Sequence, residues 1–197
     1  MQIDFERSVF INCPFDEEYA PLFEAILFAT VCCGFVPRSA LDSGSVADPR
    51  MGRIIGPLFA SKYSIHDLSR NRGDREHGLA RFNMPFELGL AVARRHMTHN
   101  EEQHDWLLLV ADDSHYPKYI TDLAAHDPFF HDGTDASIVP LVMKWLAPHT
   151  SALPSPRAVQ AALPHFRARK QELDIDWSGQ VPWYLVIEAA EENAPKL

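Results

Sequence analysis

The sequence predicts an α/β fold: one parallel sheet with helices on both faces, followed by a C-terminal helical extension. Two observations predict the sheet. Short β-rich apolar runs alternate with segments of helical period between residues 8 and 112, and the last of these runs, Trp106 to Ala111 (WLLLVA), is continuously apolar, as strands buried on both faces are. A third observation predicts the extension: after Asp112 the alternation stops and helical periods continue alone. Strand–helix alternation implies a parallel sheet with right-handed crossovers. The expected division is residues 1–150 for the α/β domain and 151–197 for the extension.

Ser8 to Asn12 (SVFIN) reads as the first strand and stops at Cys13-Pro14-Phe15-Asp16, because proline cannot continue a central strand. Asp16 is expected to cap a helix, with Glu17 and Glu18 in its first turn and Pro21 near its start. Leu22, Phe23, Ile26, Leu27 and Thr30 keep a helical period as far as Gly34, a good stop. Gly34 to Ala40 reads as the second strand, and Asp42 to Asp48 as a polar loop around Gly44. Arg50 to Lys62 has helical spacing through Met51, Ile54, Ile55, Leu58 and Phe59. Tyr63 to Leu68 (YSIHDL) is the third strand, Ser69 to Arg81 a polar loop, Phe82 to His96 a helix, and Trp106 to Ala111 the fourth strand.

Beyond the fourth strand, Tyr116 to Ala125 is expected to be a short helical segment. Ser137 to Leu146 reads as a helix with Pro140 in its first turn, and Thr150 to Pro156 as a linker. Val159 to Leu173 and Val181 to Ala190 are amphipathic helices, the second anchored by Trp183, Tyr184 and Val186. These last two either cover the sheet or form a dimer face, and a homo-oligomer is expected.

Composition narrows the class. A domain of about 150 residues buries roughly 70% of its unfolded surface, so stability requires neither metal nor disulfide. Hydrophobic content of 46% and aromatic content of 11% are those of a globular chain. No apolar run approaches the roughly 20 residues of a membrane span, and Met1 to Arg7 is too polar for a signal peptide. A cytoplasmic location with no membrane partner is the expectation. Cys13, Cys32 and Cys33 have no CxxC spacing and read as buried free thiols. A net charge of −9 disfavours a nucleic-acid partner. Arg50, Arg53, Arg70, Arg72, Arg75 and Arg81 nevertheless gather in one stretch, as either a local anion site or surface ion pairs. The ten histidines include no HExxH, and no metal or cofactor is expected. GxGxxG, Walker A and GxSxG patterns are absent as well.

Ligands of parallel sheets bind beyond the carboxyl ends of the strands. That rule gathers Asn12 to Asp16, His66 to Arg70 and the helix that carries Glu87 on one rim. Glu87 lies among Phe82, Met84, Phe86, Leu88, Leu90 and Ala91 in the expected first turn of its helix. Pointing inward it is a desolvated carboxylate; pointing outward it merely complements the helix dipole. Asp67 is a strand-end acid that could also cap a turn, His66 reads as a satisfied core histidine, and Asn12 is either a hydroxyl ligand or a turn former.

The segments VFINCPFDEEYAPLF, YSIHDLSR and RFNMPFELGLAVA together resemble the superfamily of nucleoside 2-deoxyribosyltransferases and TIR-type NAD glycohydrolases, and more narrowly its bacterial TIR-like proteins. The resemblance covers residues 8 to 112 and implies a flavodoxin-like sheet. In these enzymes a glutamate on a helix after the third strand serves the anomeric carbon, and Glu87-Leu88-Gly89 matches that motif. The resemblance implies Glu87 as the catalytic group, with Asn12, Phe15, Asp16, Asp67, Arg70, Arg81 and Asn83 binding substrate. Asn12 and Asp67 would take ribose hydroxyls, and Arg70 and Arg81 phosphate. Arg81 stands where the deoxyribosyltransferases carry an acid, which implies a phosphorylated substrate, a nucleotide or NAD. The expected activity is N-glycosidic cleavage or ribosyl transfer. The alternative is a nucleotide-sensing or scaffold module of the same fold that binds without turnover.

Overall fold

The computed structural model describes residues 4–42, 49–70, 83–97, 103–111, 121 and 126–196. Five strands, β1 (Ser8–Asn12), β2 (Val36–Arg38), β3 (Tyr63–Asp67), β4 (Asp105–Ala111) and β5 (Phe129–His131), form one sheet in the order β2-β1-β3-β4-β5. Every pairing is parallel. The sheet is flavodoxin-like, and its strand order reverses between β1 and β3, where such folds open a crevice for ligands.

Helices α1 (Ala20–Cys32) and α4 (Asp135–Leu146) lie on one face, and α2 (Arg50–Phe59) and α3 (Asn83–Met97) on the other. On the α1 face, Val9 and Ile11 of β1, Ile65 of β3 and Leu107 and Leu109 of β4 join the main core. The alternate residues Phe10, Leu108 and Val110 meet α2 and α3 in two smaller clusters. All five residues of β1 and of β3 are buried, as befits strands covered on both sides.

The C-terminal helices α5 (Pro156–Asp176) and α6 (Trp183–Asn193) add an outer layer over α1 and α4. Val159, Leu163, Phe166, Trp183 and Ile187 belong to the same continuous core, and Phe166 stacks on Phe28 of α1 at 5.1 Å. Arg167 makes a bidentate pair with Asp135 at 2.6 and 2.9 Å and also reaches Glu24. A planar guanidinium suits that double engagement. One guanidinium thereby joins α5 to α1 and α4.

Several boundaries differ from the sequence expectation. Asp16 accepts from the Tyr19 N–H at 3.0 Å and so caps a turn, α1 itself starting only at Ala20. Strand β2 shrinks to three residues at the sheet edge, the position that tolerates Pro37. Trp183 covers that edge by donating Nε1–H to the Pro37 carbonyl at 3.1 Å. Helix α2 ends at Phe59, short of Lys62. Helix α4 begins at Asp135 behind a Thr134 cap, so Pro140 falls in its second turn. Proline there frees the carbonyl of residue 136, and Gln160 of α5 donates to that oxygen at 3.2 Å. Helix α5 takes in Pro156 and starts behind Ser155, which shortens the expected linker. Strand β5, three residues at the opposite sheet edge, adds to the four strands that the sequence predicts. The expected loop around Gly44, most of the loop 69–81 and, apart from Thr121, the segment 116–125 lie outside the described residues.

Helix α1 closes on Gly34 at φ +81°. The Gly34 N–H reaches the Val31 carbonyl at 2.8 Å and the Phe35 N–H the Thr30 carbonyl at 3.2 Å, the paired bonds of a left-handed helix stop. A Cβ on Gly34 would lie 2.6 Å from Arg7 Nη2, the guanidinium that donates to the Gly34 carbonyl. Gly34→Ala is therefore expected to destabilise the protein by at least about 1 kcal/mol, read as a lowered midpoint in urea; an unchanged midpoint would show that this stop is not needed.

Candidate functional site

Period-two alternation sorts the rim residues by face. Asn12 and His66 follow Phe10 and Ser64 onto the α2/α3 side, whereas Asp67 follows Ile65 to the α1 side. Glu87 belongs to the first group. It is the fifth residue of α3, in the second turn and not the first, and it shares its helical face with Ala91, which clusters with Phe10 of β1. The helix therefore sets Glu87 one turn nearer the carboxyl end of β1 than Ala91. Asn12 confirms the approach: its Nδ2 donates to the Met84 carbonyl at 3.4 Å.

Glu87 is only 5% exposed. Among the described residues it has no hydrogen bond and no ion pair, so burial dominates and pushes its pKa up to about 7, with Arg50 of α2 pulling the other way. A helix-dipole ornament on the surface would be solvated and in the first turn; Glu87 is neither. Its charge is felt by Cys13, whose thiol is pushed well up by burial first, then by Asp67, Glu87 and Asp16. Cys13 accordingly stays a thiol. Cys32 and Cys33 are buried free thiols too, pushed up to about 12 by burial.

Asn12 is 1% exposed and half satisfied. Its Nδ2 lies 2.9 Å from His66 Nδ1, while its Oδ1 is buried with no partner. A buried acceptor left without a donor costs roughly 1–3 kcal/mol, so this oxygen is an uncompensated polar atom at the rim. His66 is the satisfied core histidine that the sequence suggested: it is fully buried and bonded at both nitrogens. Desolvation, then His104, lowers its pKa to about 3.

Asp67 occupies the opposite face and is fully buried. Its carboxylate accepts from the Tyr19 hydroxyl, from the Ser69 N–H at 2.7 Å, from the Ser69 hydroxyl and from His131 Nε2 at 3.0 Å. These donors leave it a structural group, not a ribose ligand. Ser69, His131 and Asp67 hold the residue types of a nucleophilic triad but not its geometry. Ser69 Oγ and Asp67 both address Nε2, and Nδ1 accepts from the Gly133 N–H at 3.1 Å, whereas a triad serine and aspartate use opposite nitrogens.

Arg70 pairs with Asp16 at 2.9 Å and with Glu18, so its charge is committed to the turn after β1. The cation acting on Glu87 is Arg50, in the first turn of α2. Phe15 stands at the rim, 44% exposed and edge-on to Phe23 at 5.4 Å. Asn83 opens α3 at an exposed position. Arg81 lies outside the described residues. Sequence reasoning assigned no role to Tyr19, Ser64, Ser69, His104 or His131. Each is joined to the rim by pairing between strands or by packing against the sheet, and no local spacing signals either.

Among the described residues no group of three or more His, Cys, Asp and Glu side chains could hold a metal ion, and no helix is long and apolar enough to cross a membrane. The sequence matches no protein-family model and no curated protein.

The pKa directions give two opposite pH dependences. A carboxyl raised to about 7 from 4.5 binds more protons folded than unfolded, so its contribution to stability is lost as pH rises from about 4.5 through 7. Glu87→Gln should therefore gain on the wild type over that interval, by on the order of 2 kcal/mol; denaturant midpoints at pH 5 and 8 that differ equally between the two proteins would refute it. His66 and His104, lowered to about 3 and 4 by burial, bind fewer protons folded. Stability should then fall as pH drops below about 6.5, a loss that His66→Asn reduces. Equal acid sensitivity in this variant would show that His66 titrates normally.

Proposed function

We propose that the protein cleaves, or transfers the sugar across, the N-glycosidic bond of a nucleotide, with NAD as the first substrate to test, as an N-glycosidase similar to the TIR-like and deoxyribosyltransferase superfamily. The observation that carries this reading is a pair: the buried Glu87 carboxyl without a hydrogen bond among the described residues, and the unpartnered Asn12 Oδ1 beside the same helix turn. The pair lies at the reversal of strand order, where the fold admits ligands.

Breaking the bond between the anomeric carbon and nicotinamide sends the bonding electrons to the ring nitrogen. That nitrogen loses its positive charge and needs no proton. Positive charge then develops on the sugar. The Glu87 carboxylate, set in a low-dielectric site, stabilises that cation or bonds to the anomeric carbon, as the carboxylates of retaining glycosidases do. Water or another acceptor then adds at the same carbon and releases its proton. Asn12 Oδ1 accepts a hydroxyl of the sugar. Arg50 supplies positive charge for a phosphate more readily than Arg70, whose charge Asp16 and Glu18 already offset. One ionisable group suffices for this chemistry, and it must be deprotonated to act.

Purified protein incubated with NAD is expected to release nicotinamide, separated chromatographically, and Glu87→Gln should reduce the rate by at least about 100-fold. The value of kcat/KM should climb with pH through about 7 as Glu87 ionises. Absence of release from NAD, nucleotides and deoxynucleosides by the wild type overturns the catalytic reading. Ligand bound and recovered intact would identify a nucleotide-sensing module instead.

A further inference from the structure

We propose that His66 is a positioning residue that locks the Asn12 amide with its oxygen toward the ligand, so that the site selects a sugar carrying a hydroxyl donor at that point. The inference rests on the nucleotide reading above and specifies what that site recognises.

The argument follows one buried chain of hydrogen bonds. Asn12 Nδ2 lies 2.9 Å from His66 Nδ1; His66 Nε2 lies 2.8 Å from Ser64 Oγ; Ser64 Oγ lies 2.8 Å from His104 Nε2; His104 Nδ1 lies 3.1 Å from the Ser61 carbonyl. All four side chains are at most 1% exposed, so the protein supplies the partners that order the chain. The far end fixes every proton. A carbonyl can only accept, so His104 Nδ1 carries hydrogen and, in the neutral ring, Nε2 accepts from the Ser64 hydroxyl. Ser64 Oγ, having given its proton, accepts from His66 Nε2–H. His66 Nδ1 is then an acceptor and requires a donor from Asn12. Only the amide nitrogen supplies one.

The second contact of Asn12 agrees. The Met84 carbonyl, 3.4 Å from Nδ2, also can only accept. A reversed amide would set Oδ1 against two acceptors at once. Burial holds both rings neutral, His66 at about 3 and His104 at about 4, so neither turns into a double donor near neutral pH. Oδ1 is therefore left as an obligate acceptor, buried and unpartnered. A site built to hydrogen-bond a hydroxyl rejects the analogue that lacks it more strongly than an apolar pocket rejects a missing methylene. Backbone groups fix the orientation from both ends, Ser61 through the histidine chain and Met84 directly.

The test measures binding in the full chain on a Glu87→Gln background, which leaves the ligand intact, by calorimetry with NAD and with analogues bearing fluorine in place of the 2′- or the 3′-hydroxyl of the nicotinamide ribose. Fluorine cannot donate a hydrogen bond. With His66 present, one analogue should bind at least about 10-fold more weakly than NAD. His66→Leu, which removes the acceptor, should bring that ratio close to unity. His66→Asn, whose oxygen can take the place of Nδ1, should restore it. Should the leucine variant fail to fold, His66→Gln, which moves the oxygen toward Nε2, is expected to show the same loss. Equal binding of NAD and both analogues, selectivity indifferent to His66, or no binding of NAD would each overturn the inference. Nicotinamide release by the unmodified protein, read separately, distinguishes the two claims: release without His66-dependent selectivity sinks the inference alone, and selectivity without release sinks the catalytic reading alone.

Discussion

The rim of the sheet is organised by one buried charge, the Asp67 carboxylate. Tyr19 reaches it from the turn before α1, Ser69 from the end of β3 and His131 from the end of β5. Removing such a charge from water costs several kcal/mol unless donors replace the lost solvent, and here they do. The donors come from segments far apart in sequence, so satisfying Asp67 obliges the turn after β1 and the ends of β3 and β5 to stand together. Arg70 adds an outer clasp through Asp16 and Glu18.

Glu87 is the counterpart that has not been satisfied. Both carboxyls are buried within the same part of the molecule. One is surrounded by donors, while the other has no hydrogen bond among the described residues and is raised to about 7. Donors offset the cost of burying a polar group, so the two residues have opposite uses. Asp67 holds the site together. Glu87 is left with free energy to gain from a positive charge arriving beside it. The period of two along β3 keeps these roles apart by sending Asp67 to the α1 side and His66 to the side of Asn12 and Glu87.

The architecture was legible because its signals are local. The runs SVFIN and YSIHD are apolar or β-branched enough to mark central strands, and the 3.6-residue periods marked most helices. Strand β5 was not legible, since three residues after Pro128 carry no periodicity, and His131 was lost with it. Of the site, Glu87 and Asn12 stood out from their position in the strand–helix order. Sequence alone could not tell which face Asp67 takes, because a five-residue strand buried throughout shows no polar alternation. Nor could it tell that Arg70 is already paired. The histidine chain joins residues 12, 66, 64 and 104 across the neighbouring strands β1 and β3 and the approach to β4, and only strand register brings them into line. The depth of Pro140 along its helix was not legible either, because the Thr134 cap starts α4 two residues before the apolar period does.

The central claim is that a carboxyl at this rim is held half-ionised near neutrality by its burial, with no donor to it among the described residues. Carbon-13 NMR of protein labelled at the glutamate side-chain carboxyl, compared with Glu87→Gln to assign the signal, reads that ionisation directly. The account predicts a Glu87 resonance that titrates with its midpoint at about pH 7. A midpoint between pH 4 and 5, the range of a solvated glutamate, would contradict it.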